Sequence, residues 1–357
     1  MCGEYTKVYA RADTTSHAMS PSVVAFFIVP VLLAALPAPG LDPDVATALT
    51  RYLRFSQSEL VELQRGKVVR HGVNTTVPGE IAVVGAVRVS APPMRLVEAV
   101  RRIAEFKRSP DVLQIGRLSD PPSLRDLDSL TVGKDDFDAA HCHVGDCGVR
   151  LPADAIRRLP REVDTKGPGA QERAARWFKQ QVFDNATAYW SGAPGRIVSY
   201  DDGSEPIRPV DEFDGLLEST PIIAALAPTL ASHLSSFPSH RMEGAEDFLY
   251  WSKEKFGIAP FITVTHVTIV CPSERRCLVA SRDVYSSRYI DASLALTIAS
   301  SDLADPGAFY LVYSNRSRAS ALKGAFSGLR KSIAEHRARG NLEETLKTLK
   351  QRLENAR

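Results

Sequence analysis

The run Phe261-Ile-Thr-Val-Thr-His-Val-Thr-Ile-Val270 is β-branched at most positions, with Thr at 263, 265 and 268. Such a run suits a pleated, half-buried strand. Further apolar or aromatic runs surround it. Asp247–Ser252 lies upstream and is expected to pair with it. Cys277–Ser281 follows a polar loop, Cys271 to Cys277, that reads as a hairpin turn. Tyr289–Ala299 comes next, and Ala308–Tyr313 follows the Asp305-Pro-Gly307 turn. Short strands with short connectors predict an antiparallel meander.

The chemistry changes after that meander. From Ala319 on, Leu322, Phe326, Leu329 and Ile333 fall at helical spacing, and Leu342, Leu346, Leu349 and Leu353 repeat it. Gly340-Asn341 between the two sets predicts a break. A meander closed by a long helix is an α+β arrangement, with the helix covering the sheet's apolar face.

The first third supplies a helix over 44–64, turn-like residues to Val77 with a short strand near Val68-Val69, and a strong strand at Ile81–Val89. Ala91-Pro-Pro93 then opens a helix over Met94–Lys107, striped by Leu96, Val97, Val100, Ile103 and Phe106. A strand at Val112–Leu118 follows. The central third is less regular. It predicts helices at 153–159, 170–190, 213–217 and 222–234, with Ala174, Trp177, Phe178, Val182 and Phe183 turned inward on the second, and a strand at 196–200. No internal repeat and no clear linker divides it.

Val23–Leu36 is a nearly continuous apolar run of 14 residues followed by Ala38-Pro-Gly40. It is short for a bilayer, which needs about 20 residues, and small residues at the cleavage-determining positions fit a secretory signal. Residues 1–40 are therefore expected to be a signal peptide or membrane leader, with Met1 or Met19 as the start and membrane contact possible through it. The protein is expected to be exported: periplasmic, secreted or envelope-associated. The net charge of +2 gives no electrostatic case for nucleic acid as a partner. Four cysteines beyond the leader fall into two local pairs, Cys142 with Cys147 and Cys271 with Cys277. In an exported chain that spacing favours two disulfides.

The order strand, Ala-Pro-Pro turn, helix, strand at 81–118, closed by a meander and a C-terminal helix, resembles the START-like (SRPBCC, helix-grip) superfamily. The resemblance covers about 80–118 and 246–356. It implies a curved antiparallel sheet gripping the long C-terminal helix around a largely apolar cavity; the mostly helical insertion at about 120–240 departs from that pattern. With no clear linker, the chain reads as an N-terminal helical segment at 41–78 before a single domain at 79–357. Cys142-His-Val-Gly-Asp-Cys147, Tyr250-Trp-Ser-Lys-Glu254 and Tyr313-Ser-Asn-Arg-Ser-Arg318 look like motifs of exported bacterial proteins of unknown function, which implies a location and no activity.

Candidate ligand contacts are the amphipathic aromatics Tyr250, Trp251, Tyr285 and Tyr289, the mid-strand His266, and Arg316 and Arg318 after the last strand. Each also has a structural reading, as core aromatic, satisfied core histidine or salt-bridged arginine. His141, Cys142, His143 and Cys147 are zinc-ligand types at a spacing that matches no standard finger. Asp135, Asp136 and Asp138 lack a regular calcium loop. The sequence contains no G-x-S-x-G, P-loop, complete G-x-G-x-x-G or H-E-x-x-H pattern, so no catalytic residue, metal or cofactor is assigned. The leading expectation is a noncatalytic protein holding an apolar or amphipathic, lipid-like molecule between sheet and C-terminal helix. The alternatives are an enzyme in the same cavity, pairing His266 with a Tyr or Asp291, and an envelope structural or interaction protein.

Overall fold

Main-chain hydrogen bonding explains why the predicted strands cohere. The computed structural model describes residues 40–193, 199–201, 206–255, 259–323 and 327–355. The expected leader at 1–40 lies outside these except for Gly40, as does most of the expected strand at 196–200. Eight strands, β1 (Val69–Gly72), β2 (Glu80–Val89), β3 (Val112–Arg117), β4 (Glu246–Lys255), β5 (Pro260–Ser273), β6 (Arg276–Ser286), β7 (Ala292–Asp302) and β8 (Asp305–Arg318), form one curved antiparallel sheet. Their order is β1-β2-β8-β7-β6-β5-β4-β3. The meander from β4 to β8 forms its centre. The strands from the first third flank it at both ends, β2 against β8 and β3 against β4.

Ten helices are described: α1 (Pro43–Leu53), α2 (Gln57–Gln64), α3 (Met94–Arg101), α4 (Ile103–Phe106), α5 (Ala153–Glu162), α6 (Ala170–Ser191), α7 (Pro209–Glu218), α8 (Ile222–Leu226), α9 (Pro228–Ser236) and α10 (Ser327–Asn355). Residues alternate across a strand, and both faces of this sheet are covered. On one face, Val83, Val87, Phe248, Val267, Val279, Phe309 and Leu311 meet α3, α4 and α10. On the other, Leu278, Leu294, Leu296 and Ile298 pack against α1, α2 and α7–α9. Trp251, Ile262 and Val264 on that second face pack against α5, α6 and the irregular segment 118–151. The α+β class follows directly. The sequence pattern did not reveal that the mid-chain helices build a full second layer jointly with α1 and α2.

Several boundaries differ from the expectations, for local reasons. The C-terminal helix starts at Ser327, because Ala319 is still extended and its N–H donates to Gly79 O at 3.0 Å. No break occurs at Gly340-Asn341. A helical Gly costs about 1 kcal/mol, whereas burying Leu342, Leu346 and Leu353 returns about 1.5–3 kcal/mol each. The side chains of Phe326, Leu329 and Ile333 lie outside the described residues. Tyr289 is not in a strand: its φ of 64° places it in the left-handed region, and β7 begins at Ala292. The 44–64 helix is two helices, because Arg54 turns left-handed (φ 62°) and Ser56 with Glu59 forms a capping box for α2. The helix over 94–107 breaks at Arg102. The helix over 222–234 breaks at Ala227, which precedes Pro228 and adopts φ −151°.

Both cysteine pairs form disulfides, Cys142–Cys147 in the irregular segment and Cys271–Cys277 across the β5–β6 hairpin. Two disulfides fit an oxidising, exported location. No described helix is long and apolar enough to cross a membrane.

Candidate functional site

The face of the sheet that carries α10 is fully buried over one half of its length and half-buried over the other. The C-terminal half of α10 sits tightly on β2. A Cβ placed on Gly85 would lie 2.6 Å from Leu346 and 3.1 Å from Leu342, so only glycine allows this approach. Further along, toward the start of β2 and the end of β8, the floor changes character. Ile81, Tyr313, Asn315, Ser317, Ala295, Thr297, Ser281 and Asp283 are all half-buried, although Val83, Leu311, Ala299 and Val279 beside them are buried.

The open floor is polar and tightly interconnected. Lys107, just past α4, donates through Nζ to Tyr250 Oη at 3.1 Å and to Glu254 Oε1 at 2.9 Å. Ser252 Oγ donates to Glu254 Oε1 at 2.7 Å. That uses its only proton, so at 2.9 Å Thr263 is the donor to Ser252. Asp283 accepts from Thr265 Oγ1 at 2.9 Å and from Ser293 Oγ at 2.6 Å. The Lys107 side chain keeps 31% of its surface open to solvent, and that of Glu254 keeps 22%, so the cluster is only partly enclosed.

These neighbours set the charges. Burial opposes the Lys107 ammonium, but Tyr250 and Glu254 hold its pKa well above the ordinary lysine value. Burial also works against the Glu254 carboxylate, and Lys107 more than offsets it, so that pKa is lowered. Asp283 goes the other way: burial pushes its carboxyl up despite the Ser293 and Thr265 hydroxyls. Burial raises the Tyr313 phenol to about 12. The cluster thus presents a cation, an anion and a carboxyl whose ionisation is disfavoured. Such an arrangement suits orientation of a polar group by hydrogen bonds.

The residues singled out from sequence do not converge there. Tyr250 lies on the face that carries α3 and α10. Trp251 and Tyr285 lie on the opposite face, where Trp251 Nε1 donates to Asp126 O at 2.8 Å and Tyr285 Oη to Arg150 O at 3.2 Å. Tyr289 Oη holds the main chain of Ala259. Arg316 and Arg318 grip the buried Glu80 at 2.5 and 3.0 Å, and Arg318 also reaches Glu212 at 2.9 Å, tying β2, β8 and α7 together. They are internal ion pairs, not free clamps. Asp291 is held by Arg150 and Ser320.

His266, also on the opposite face, belongs to a sealed network. Asp247 Oδ1 accepts from His233 Nε2 and His266 Nε2, both at 2.9 Å, and from Thr268 Oγ1 at 2.7 Å. Met242 N–H donates to His233 Nδ1 at 2.9 Å, which places the His233 proton on Nε2. His266 Nδ1 meets Tyr189 Oη at 2.7 Å. The tyrosine that meets His266 is therefore Tyr189 on α6. The His266 side chain is fully enclosed, so the pair welds α6, α9, β4 and β5 together. Burial lowers the His266 pKa. Burial alone would raise Asp247, but the two histidines hold its carboxyl well below the usual range.

Sequence reasoning missed Lys107, Glu254, Asp283 and Tyr313 as site residues. Glu254 and Asp283 lie just past the expected ends of their strands, and Lys107 reads as an ordinary solvated helix end. Tyr313 closed a predicted strand without being read as a contact. One signal was available: Tyr250, Ser252 and Glu254 alternate with apolar Leu249 and Trp251. Among the described residues no His, Cys, Asp and Glu group is placed to hold a metal ion, and Cys142 and Cys147 are consumed by their disulfide. No protein-family model matches this chain, and no curated protein matches it in sequence.

Proposed function

We propose that this protein is an exported, noncatalytic binding protein that holds a small amphipathic molecule in the groove between the sheet and α10. The polar group of the ligand takes the Lys107–Glu254–Asp283 end, and its apolar part lies along Ile81 and Tyr313. In this reading the arrangement is START-like, with α10 as the gripped helix, and residues 1–40 direct export to the periplasm, the envelope or the medium.

The observation that carries the reading is the half-open polar floor beneath a helix that is otherwise packed dry. Burying Lys107, Glu254 and Asp283 in a structural core would cost stability without adding packing. At the bottom of a groove these groups remain available to a ligand. An amphipathic molecule matches the mixture of charged, hydroxyl and aliphatic surface better than a purely apolar one.

The test is solvent extraction of the purified chain followed by mass spectrometry, run in parallel on Lys107→Met and Tyr313→Phe. The expected result is one small-molecule class that co-purifies with the parent protein and is depleted in both variants. Recovery of the same molecules from folded variants and parent alike would refute the reading.

A further inference from the structure

The Lys107–Glu254 pair limits which head group the groove can hold, an inference that rests on the groove being the binding site. A lysine ammonium carries three donors. Lys107 Nζ uses one on Tyr250 Oη at 3.1 Å and one on Glu254 Oε1 at 2.9 Å, which leaves one N–H uncommitted among the described residues. Glu254 Oε1 takes both of that carboxylate's donors, Lys107 Nζ and Ser252 Oγ, and Oε2 takes none among the described residues. The Tyr313 hydroxyl donates to no described residue, and its ionisation responds to Lys107 and Glu254 alike, so it stands near both. The polar end thus offers two donors and one acceptor, and the Lys107 and Glu254 side chains are both partly open to solvent.

A head group that displaces solvent from these groups must supply both an acceptor and a donor. A carboxylate supplies acceptors only. Placed against Lys107, it also stands beside the Glu254 carboxylate, a like charge that disfavours it. An ammonium supplies donors only and meets the mirror problem at Lys107. Because the two charges are 2.9 Å apart, no head group can touch one and avoid the other. A zwitterion matches both charges but must surrender the hydration of two ions to a pair that already neutralises itself. A hydroxyl or a primary amide accepts from Lys107 or Tyr313, donates to Glu254 and brings no charge.

We propose that the groove selects amphiphiles with an uncharged head that both donates and accepts, a hydroxyl or primary amide on an aliphatic tail, and that the Lys107–Glu254 pair enforces the choice. The head accepts from the free Lys107 N–H and the Tyr313 hydroxyl and donates to Glu254 Oε2. Selection of this kind works by penalty as much as by attraction: each half of the ion pair rejects the head group that the other half would welcome.

The test is calorimetric titration of the full chain, at neutral pH and below micellar concentrations, with probes of equal tail length: monolaurin, laurate, dodecylamine and an amino acid with a dodecyl side chain. Monolaurin is expected to bind saturably and at least about tenfold more tightly than each charged probe, the effect of one unmatched polar group. Glu254→Gln keeps an acceptor for Lys107 and Ser252 but removes the charge. It should raise the affinity for laurate about tenfold and lower that for dodecylamine, a change of ranking that a merely structural role would not produce. A charged probe that equals monolaurin on the parent, or a folded Glu254→Gln with the parent's ranking, would overturn the selection and leave the groove reading standing. Failure of all four probes to bind would refute the groove reading and the selection with it. Should Glu254→Gln not fold, the ranking on the parent alone still decides.

Discussion

Asp283 and Asp247 are buried carboxylates with opposite consequences. Asp283 has its pKa raised by burial, so the folded state resists its ionisation. Its contribution is present in full below pH 3.8, the value in the unfolded chain, and is lost as pH rises through its folded value. Asp283→Asn keeps an acceptor for Thr265 or Ser293 and removes that penalty. Its stability at pH 7 should equal or exceed the parent's by up to about 1 kcal/mol, while occupancy of the groove falls. Urea unfolding and ligand recovery, measured together, check this, and a destabilised Asp283→Asn with unchanged ligand would contradict it. At the other site, both shifts are downward. The contribution of His266 is complete above pH 6.5 and is lost as pH falls through its depressed folded value. That of Asp247 is complete above pH 3.8 and is lost at lower pH. Acid should therefore unlock the Tyr189–His266–Asp247–His233 network in two stages. Asp247→Ala would leave two buried histidine donors and the Thr268 hydroxyl unmatched, costing about 3–5 kcal/mol. The denaturant midpoint from pH 8 to about pH 2 measures both stages, and a flat profile for the parent would exclude this role.

Element boundaries show where a one-dimensional reading succeeds. The strand-like runs from 247 to 313 each contain a strand, because in an interior sheet the side-chain pattern and the main-chain pairing agree. The amphipathic pattern at 170–190 became α6 within a residue or so at each end. Failures concentrated where a contact distant in sequence decided the matter. Gly340 reads as a helix end, but α10 runs through it because the leucines beyond it are buried on β2. Glu254 and Asp283 read as loop residues because only pairing with β5 extends β4 and β6 so far. The site was less legible than the fold for the same reason. Lys107 meets Glu254 only after β3 has paired with β4, and no local pattern records that. Gly85 is a further example: its spacing says nothing, yet α10 reaches the sheet through it. Gly85→Val should push Leu342 and Leu346 off β2 and destabilise the chain by about 1–3 kcal/mol, as overpacking does. Faster amide hydrogen exchange in α10 than in β4–β8 would mark the lesion, and uniform exchange changes would argue against it.

At the scale of the whole molecule, the sheet is a partition between two helical layers. One half of the face that carries α10 is only half-buried, while helices from both the N-terminal segment and the middle of the chain cover the opposite face. This division has a consequence for the N-terminal helical segment expected at 41–78. Val45, Leu49, Leu53, Leu60 and Leu63 are all buried in one cluster with Leu278, Leu294, Leu296 and Ile298 of the central strands. At about 1.5–3 kcal/mol for each fully buried side chain, the segment contributes as much as the entire net stability of an ordinary domain, about 5–15 kcal/mol. A chain beginning at residue 65 should therefore fail to reach the native state at all, not merely lose an appendage. Near-ultraviolet circular dichroism and the urea transition of that truncation are the measurements to make. A cooperative transition with native aromatic signals would mean that the sheet and its α10 layer stand alone, and that α1 and α2 cover a core that needs no cover.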